Sequence, residues 1–515
     1  MEWKPALLAA MLGGCTSGKA THTPPTTDAG TSDAAQQPDV GELGNDGDRF
    51  VVKVPTYPGN VTEYRLYSMR NAGDPPRVMV ASSAPTNRVL FDPYVGDGVH
   101  VFYGAYAIVD GQEQLAFSAD GTQPARVWSA PLTITTPGVY TGSWRSLDPG
   151  QPAVHVAAGV TGVVIESARV SSMGDGIVVD AGAEVQIQNS RGWGLHPMTQ
   201  DSTNGKFVSG ARPGALTVEH SYAEAWLFGV YIDGQLDAAQ KKVGVRWNRI
   251  RNIQGRKTNA DGSYQPLRST AGGVAHAVQL NAVSTCADAE IAWNEIVQEP
   301  SIGFSEDIVN IYQSSGTPSS KIRVHDNVVY GGYATEPGKP APSSGEGGGA
   351  YAGCGIISDG GDPNGSEALN GELDIYGNIV IATTNCGIGI AGGSMVHVHD
   401  NRMTSSGVLE DGTIIWANNV GGYVWSQYTS AFHANLFDKN YSSWLEGPGS
   451  AHNTGATPNN NSYWFPDNGT NGTVASYDAQ TTAPSGITIQ TERDEYQLFW
   501  TRTRAAAVTV GIGAP

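Results

Sequence analysis

Between Phe50 and Thr136 apolar residues alternate with polar ones in short runs, among them FVVKV, YRLYSM, RVLF, VHVFYGAYAIV and ARVWSAPLTI, with Gly, Pro, Asn and Asp between the runs. A two-residue period predicts strands with one buried face, and several such strands at this spacing predict a small β-sandwich. No catalytic constellation stands in this stretch. A packing or spacer role is expected of it ahead of carbohydrate binding.

After Gly138 the alternation acquires a longer repeat. VGVRWNRI, EIAWNEI, IRVHDNVV, LDIYGNIV and VHVHDNRM place Asn248, Asn294, Asn327, Asn378 and Asn401 at one point of a recurring segment. GIVVD, GVYID, AVQLN, NIY, GIISD and GIGIA recur between them. Each piece is a short strand with alternate residues inward, and each pair makes one turn that stacks on the turn before, burying a continuous aliphatic column. Asn at a fixed place beyond an inward Val or Ile, coil after coil, resembles the asparagine ladder of right-handed parallel β-helices such as pectate lyases. The resemblance covers about residues 139–445, with Ser190 and Ser221 in the ladder position of earlier coils, where a hydroxyl can also bond the turn backbone.

The expected fold is therefore all-β: a right-handed parallel β-helix, a solenoid, over 138–445, preceded by a small β-sandwich-like domain at 49–137. A C-terminal extension, 446–515, contains ITIQTERDEYQLFWTRTRAAAVTVG, which reads as a cap over the last coil. This architecture carries hydrolases, epimerases, adhesins and inert spikes alike, so it leaves activity open.

Charge narrows the partners. The 515 residues hold 30 Lys and Arg against 49 Asp and Glu, a net of −19, with no basic stripe, which argues against nucleic acid. With 66 Gly, 29 Pro and only 15% charged residues, helical bundles and coiled coils are excluded. At the N-terminus KPALLAAMLGGC, Lys4 to Cys15, joins a positive charge, a short apolar stretch and small residues before a cysteine, the pattern of an export signal. Leu12-Gly13-Gly14-Cys15 resembles the lipobox of bacterial lipoproteins. That resemblance implies a signal peptide over 1–15, a lipid on Cys15 as the one membrane contact, and, with Thr16 rather than Asp next, an outer-membrane or cell-surface location. Residues 16–48 hold too little apolar surface to offset chain entropy and are expected to form a disordered tether. A monomer is expected.

Cys354 and Cys386 each precede the Gly of a GI strand and should stack on neighbouring rungs. In-register parallel neighbours rarely offer the dihedral a disulfide needs, so two buried thiols are expected, and Cys286 has no evident partner.

Coil spacing locates a cleft. Asn281 to Tyr312 takes 31 residues, but Asp233 to Asn281 takes 48 and Tyr312 to Asp359 takes 47. The extra residues, Gln254 to Ala275 and Gly331 to Cys354, leave the same corner, as does a third insert, Leu195 to Ala215. Long loops from one corner of a rigid stack wall off a groove. Alternation puts Tyr231, Gln279 and Asn310 in one outward column of its floor, and Asp233, Asn281, Tyr312 and Asp359 in the next. Stacked polar and aromatic groups suit a polysaccharide.

Hydrolysis of a glycosidic bond needs two carboxyls about 5 to 9.5 Å apart, and Glu306, Asp307 and Asp359 are the catalytic candidates. A lyase needs instead a basic group and a cation beside a uronate carboxylate. Arg251, Arg256, Lys257 and His276, near the first insert, are candidate substrate-binding residues for either reaction, and stacked Asp233 and Asp359 are candidates for Ca²⁺ if the enzyme is a lyase. The acidic surface disfavours a polyuronate, so a surface-attached glycoside hydrolase is expected over a lyase, with a non-catalytic glycan-binding or adhesive protein as the alternative. His397 and His399 alternate outward on one strand with His325 in the column of His399. Tyr376 intervenes and no third ligand is evident, so they are expected to be surface histidines.

Overall fold

The computed structural model describes residues 41–69, 78–234, 242–265, 274–284, 286, 288–334, 336–339, 353–360, 371–428, 432–449, 459–460, 462–466, 481–482 and 486–512. Cys15 and the export signal lie outside them.

Inward Val and Ile on every coil zip three long parallel sheets around one aliphatic column that includes Val179, Ile232, Val278, Ile311, Val324 and Ile388. The floor sheet runs from Leu132–Ile134 through Phe228–Asp233, His276–Asn281, Val309–Tyr312 and Cys354–Asp359 to Tyr463–Trp464. Each coil then enters the back sheet, which includes Lys242–Arg246, Gly371–Tyr376 and Ser394–His399, and returns through a third, brace sheet, which includes Arg249–Arg251, Val328–Gly332 and Ile379–Thr383. From coil to coil the strands pair parallel and in register, as in Asn281 opposite Tyr312 and Tyr312 opposite Asp359, and an antiparallel pair, Tyr441–Glu446 with Asn459–Asn460, ends the brace sheet. The chain is a right-handed parallel β-helix.

The turn from back sheet to brace sheet explains the repeated asparagine. The residue before each ladder position is left-handed, at φ 60° for Trp247, 56° for Trp293 and 53° for Asp326. That conformation costs a branched or bulky residue energy, and the ladder offsets it. Asn294 Nδ2 donates to Val245 O at 2.8 Å and to Asn327 Oδ1 at 2.9 Å, while its Oδ1 accepts from Asn248 N at 3.0 Å. The same bonds recur through Asn327, Asn378 and Asn401 and reach one coil further, to Asn440. Ser190 and Ser221 continue the ladder upward, Ser190 N donating to Ser221 Oγ at 3.1 Å and Ser221 N to Asn248 Oδ1 at 2.9 Å.

Ahead of the helix, a three-stranded antiparallel sheet (Glu42–Asn45, Phe50–Lys53, Val89–Asp92) and a four-stranded one (Val78–Ser83, Val61–Met69, His100–Val109, Gln112–Thr122) share a core of Phe50, Val52, Leu66, Leu90, Val101 and Tyr103. That core continues onto Trp193 and Tyr222 of the brace sheet.

Several expectations need correction. Glu42–Asn45 is a paired strand, so the tether expected over 16–48 is folded at its end. Asp48, in the same stretch, receives Arg169 at 2.5 Å, Arg191 at 3.1 Å and Arg126 at 3.4 Å. Burial works to raise its pKa, but these guanidiniums bring it down to about 2. Leu132–Ile134, inside the expected sandwich, already forms the first floor rung. Cys354 and Cys386 do stack, with Cα atoms 4.4 Å apart, but as a disulfide rather than two thiols. Cys286 is a buried free thiol.

The C-terminal segment is a helix, α1 (Ile489–Ala505), and not an end cap. Thr488 caps it in a capping box with Thr491, and Tyr496, Phe499, Trp500 and Thr503 recur at helical spacing to make one buried face. This face packs sideways on Tyr330, Ile379 and Ile381 of the brace sheet, beside Tyr67 and Met79 of the sandwich. Alternating apolar and charged letters hid the 3.6-residue period.

Asn294→Ala should destabilise the protein by about 2–4 kcal/mol, because four buried side-chain hydrogen bonds, to Asn248 N, Asn248 Nδ2, Val245 O and Asn327 Oδ1, are lost at once; urea unfolding monitored by tryptophan fluorescence measures it. Glu492 on α1 is 1% exposed, and its pKa rises from 4.5 to about 7, through burial first, despite the Ser406 N–H bond at 2.6 Å. The folded chain thus holds a proton that the unfolded chain releases between these values. Stability present below about pH 4.5 is lost as pH rises through about 7, by about 3 kcal/mol. Unfolding free energies across that range should show Glu492→Gln lacking this component.

Candidate functional site

The floor sheet carries both expected outward columns. Tyr231, Gln279 and Asn310 occupy three successive rungs, and Asp233, Asn281, Tyr312 and Asp359 occupy four. Asn281 Nδ2 donates to Tyr231 Oη at 3.1 Å, linking the two columns. Burial, then the charge of Asp233, pushes the Tyr231 phenol up.

One floor position joins the acids. Asn310 Nδ2 donates to Asp307 Oδ2 at 3.0 Å and to Asp359 Oδ2 at 3.2 Å, so the two acceptor oxygens are no more than about 6 Å apart. Asp307 is 6% exposed, and its Oδ1 accepts from Cys354 N at 2.7 Å. A Cβ on Gly353 would stand 2.0 Å from that oxygen, so the close approach requires glycine. Asp359 is half-buried and accepts at Oδ1 from Tyr428 Oη at 2.6 Å and from Gly360 N at 2.8 Å. Burial and the adjoining Asp359 carboxylate raise the Tyr428 pKa, which keeps its hydroxyl a donor.

His276, fully buried at the start of its floor strand, donates from Nδ1 to Asp307 O at 2.8 Å, which leaves Nε2 turned toward Glu306 Oε2 at 3.9 Å. Ligand atoms of His276, Glu306 and Asp307 lie within 4.8 Å of one another and could hold a metal ion. The expected Ca²⁺ pair is different and fails: Asp233 and Asp359 are separated by Asn281 and Tyr312, about 14 Å along the stack, too far to share one ion.

The cationic candidates divide. Arg251 belongs to the brace sheet, not the groove. It is 4% exposed, pairs with Glu299 at 2.5 Å and reaches Ser68 Oγ of the sandwich at 3.4 Å. Its place three residues before the first insert suggests a loop-side group, but the interface with the sandwich buries it. Arg256 has its guanidinium carbon over the Phe304 ring at 4.0 Å and the Tyr264 ring at 4.6 Å, with Nε bonded to Gln254 Oε1 at 3.0 Å. Lys257 is half-buried in the same wall.

That wall is built structure. Thr258 Oγ1 donates to Thr199 O at 2.8 Å, Asn204 Nδ2 to Tyr264 Oη at 2.9 Å, and the His196 ring sits 4.3 Å from Tyr264. The third insert is shorter than expected, since Lys206–Ala211 within it is a floor strand. Residues 340–352 of the second insert and 266–273 of the first lie outside the described residues. A cleft of about 560 Å³ adjoins this wall and the upper floor, between Pro149, Asn204 and Lys206, and a second of about 830 Å³ lies between the sandwich and α1 at Arg65, Tyr106 and Arg493.

Two floor residues escaped the sequence reading. Lys206 Nζ sits 5.1 Å from the Tyr231 ring, and Tyr428 arrives from a loop whose coil carries no recognisable repeat. Alternation could not have found the first, because Lys206 stands two residues from the inward core residue Val208.

No family model matches the chain, and no curated protein matches it in sequence. Among solved structures it is similar to pectate lyase PelI from Erwinia chrysanthemi, at 10% identity over 86% of this chain and 99% of that one, TM-score 0.19. It is similar also to a family 28 exopolygalacturonase from Yersinia enterocolitica, at 8% identity over 88% and 100%, TM-score 0.23. The catalytic domain of a GH87 alpha-1,3-glucanase, solved with tetrasaccharides, gives 8% identity over 85% and 88%, TM-score 0.29. Likenesses with such TM-scores carry no argument, and the parallel β-helix rests on strand register and the ladder themselves.

Proposed function

We propose that this chain is a polysaccharide-processing enzyme, a glycoside hydrolase, whose substrate lies along the outward face of the floor sheet. The observation that carries the reading is Asn310 bridging Asp307 and Asp359 from neighbouring rungs. It gathers the carboxyls of two neighbouring rungs, with Glu306 next to Asp307 in the chain, where glycosidic chemistry needs an acid and a second carboxylate, beside a row of Tyr, Gln and Asn side chains. Asp359, half-exposed and oriented by Tyr428 and Gly360, faces the sugar as base or nucleophile. Glu306, with a side chain 28% exposed and beside His276 Nε2, supplies the proton to the leaving oxygen. Asp307, largely buried beneath Cys354 N–H, positions Asn310 and through it Asp359.

Hydrolysis is favoured over elimination because Arg251 is enclosed in another interface and Arg256 is laid against two rings, which leaves Lys206 and Lys257 as the lysines from which a lyase would have to draw its base. Lipid attachment at Cys15 would display the enzyme at the bacterial surface as a monomer bound to membrane only through that anchor.

A panel of polysaccharides, assayed for new reducing ends and for the absorbance of unsaturated uronates, tests the reading. The first signal should rise without the second. Asp359→Asn and Glu306→Gln should each lower kcat by about 10² to 10⁴-fold with glycan binding retained. Gly353→Ala should lower it too, by displacing Asp307. Glycan binding with no turnover by the unaltered protein on any substrate would favour an adhesive role, and a unsaturated-product signal would favour a lyase.

A further inference from the structure

The back sheet, away from the floor, holds a group of side chains that the proposed reaction does not use. His397 and His399 project from one strand with ring centroids 4.0 Å apart, and Asp374 projects from the preceding rung opposite His397. Asp374 Oδ1 lies 3.0 Å from His399 Nε2 and 3.8 Å from His397 Nδ1. The remaining nitrogen of each ring meets a carboxylate of its own. His399 Nδ1 lies 2.7 Å from Asp400 Oδ2, and His397 Nε2 lies 2.8 Å from Asp438 Oδ1 on the following rung. One ligand atom from each of Asp374, His397 and His399 falls within 4.8 Å of the others.

We propose that Asp374, His397 and His399 bind one divalent transition-metal ion of the Zn²⁺ class, with Asp400 and Asp438 orienting the two imidazoles. Around a tetrahedral Zn²⁺ with ligands at about 2 Å, ligand atoms stand about 3.3 Å apart, so small rotations of these partly exposed side chains close the set. A carboxylate on the outer nitrogen of each ring is the arrangement that fixes tautomer and orientation in imidazole metal sites. Two imidazoles with one carboxylate select Zn²⁺, Co²⁺, Ni²⁺ or Cu²⁺ over Ca²⁺ or Mg²⁺, and water completes the coordination. The third ligand, Asp374, precedes His397 by 23 residues in sequence and becomes its neighbour only through strand register. His325 offers a contrast on the same face. It also lies between two carboxylates, Glu290 at 3.0 Å and Asp326 at 2.9 Å, but the Tyr376 ring separates it from the pair and it has no second imidazole. Because the ligands come from adjacent coils, the ion ties those coils together.

Two additional protons could supply the same charge as the ion, and metal titration separates the cases. Tag-free full-length protein stripped with a chelator should take up one equivalent of Zn²⁺ in calorimetry, give no heat with Ca²⁺, and unfold at a higher temperature with Zn²⁺ present. His397→Gln, His399→Gln and Asp374→Asn, made separately so that each checks the others, should each weaken binding at least tenfold. His325→Gln should leave it unchanged. Absence of saturable Zn²⁺ binding overturns the proposal. So does wild-type affinity in both folded histidine variants, or loss of the site in His276→Gln alone, which would put the ion in the groove.

Discussion

Backbone hydrogen bonding between coils, held in one register for ten or more rungs, is the constraint on which everything else in this molecule depends. A one-residue slip would turn every inward Val and Ile to solvent and every floor residue into the core. Two devices prevent it. The aliphatic column sets which face points inward, and the buried asparagines tie each turn to the turns above and below by side chain as well as main chain. A left-handed residue before each asparagine makes the corner sharp, and its cost is tolerated because the ladder leaves no alternative conformation with satisfied polar groups.

From register follows chemistry. Asp359 is separated from Asp307 and Asn310 by a long insert yet meets Asn310 within hydrogen-bond reach, and Asp374 meets His399 across one coil of the back sheet. A parallel stack gives columns of neighbours about 4.8 Å apart on every face, so one scaffold can hold separate clusters without interference. The brace sheet shows the alternative use of an outward face. There the positions include apolar Ile379 and Ile381 and charged groups met by partners, as Arg249 lies between Tyr94 and Trp500 and Arg251 pairs with Glu299, and this part of the face is covered rather than offered to a ligand.

Much of this was legible in the chain because period and spacing are direct consequences of stacking. Asn248 to Asn401 announced the ladder, and Cys354 and Cys386, each before the Gly of a GI strand, announced the rungs. What escaped were contacts between distant parts that no repeat encodes. Arg251 reads as a groove residue until the sandwich is seen to bury it, Tyr428 comes from a loop with no repeat, and the apolar face of α1 reads as an end cap until its lateral partner, the brace sheet, is known. Asp374 stands two residues before Tyr376 on the strand whose register is legible, but its reach across to His399 Nε2 depends on side-chain geometry that no spacing encodes.

The lateral seat of α1 changes how the solenoid can come apart. A linear stack ordinarily frays from its ends, each coil answering only to its neighbours. Here Gln497 Nε2 donates to Tyr67 Oη at 2.9 Å, joining positions 430 residues apart. Arg402, on a late coil, clasps Glu495 at 2.5 Å, while Arg249, on an earlier one, lies under Trp500. The strap thus converts a row of semi-independent units into a closed circuit, in which peeling one late coil must also loosen the N-terminal sandwich, and local fraying gives way to a single cooperative transition.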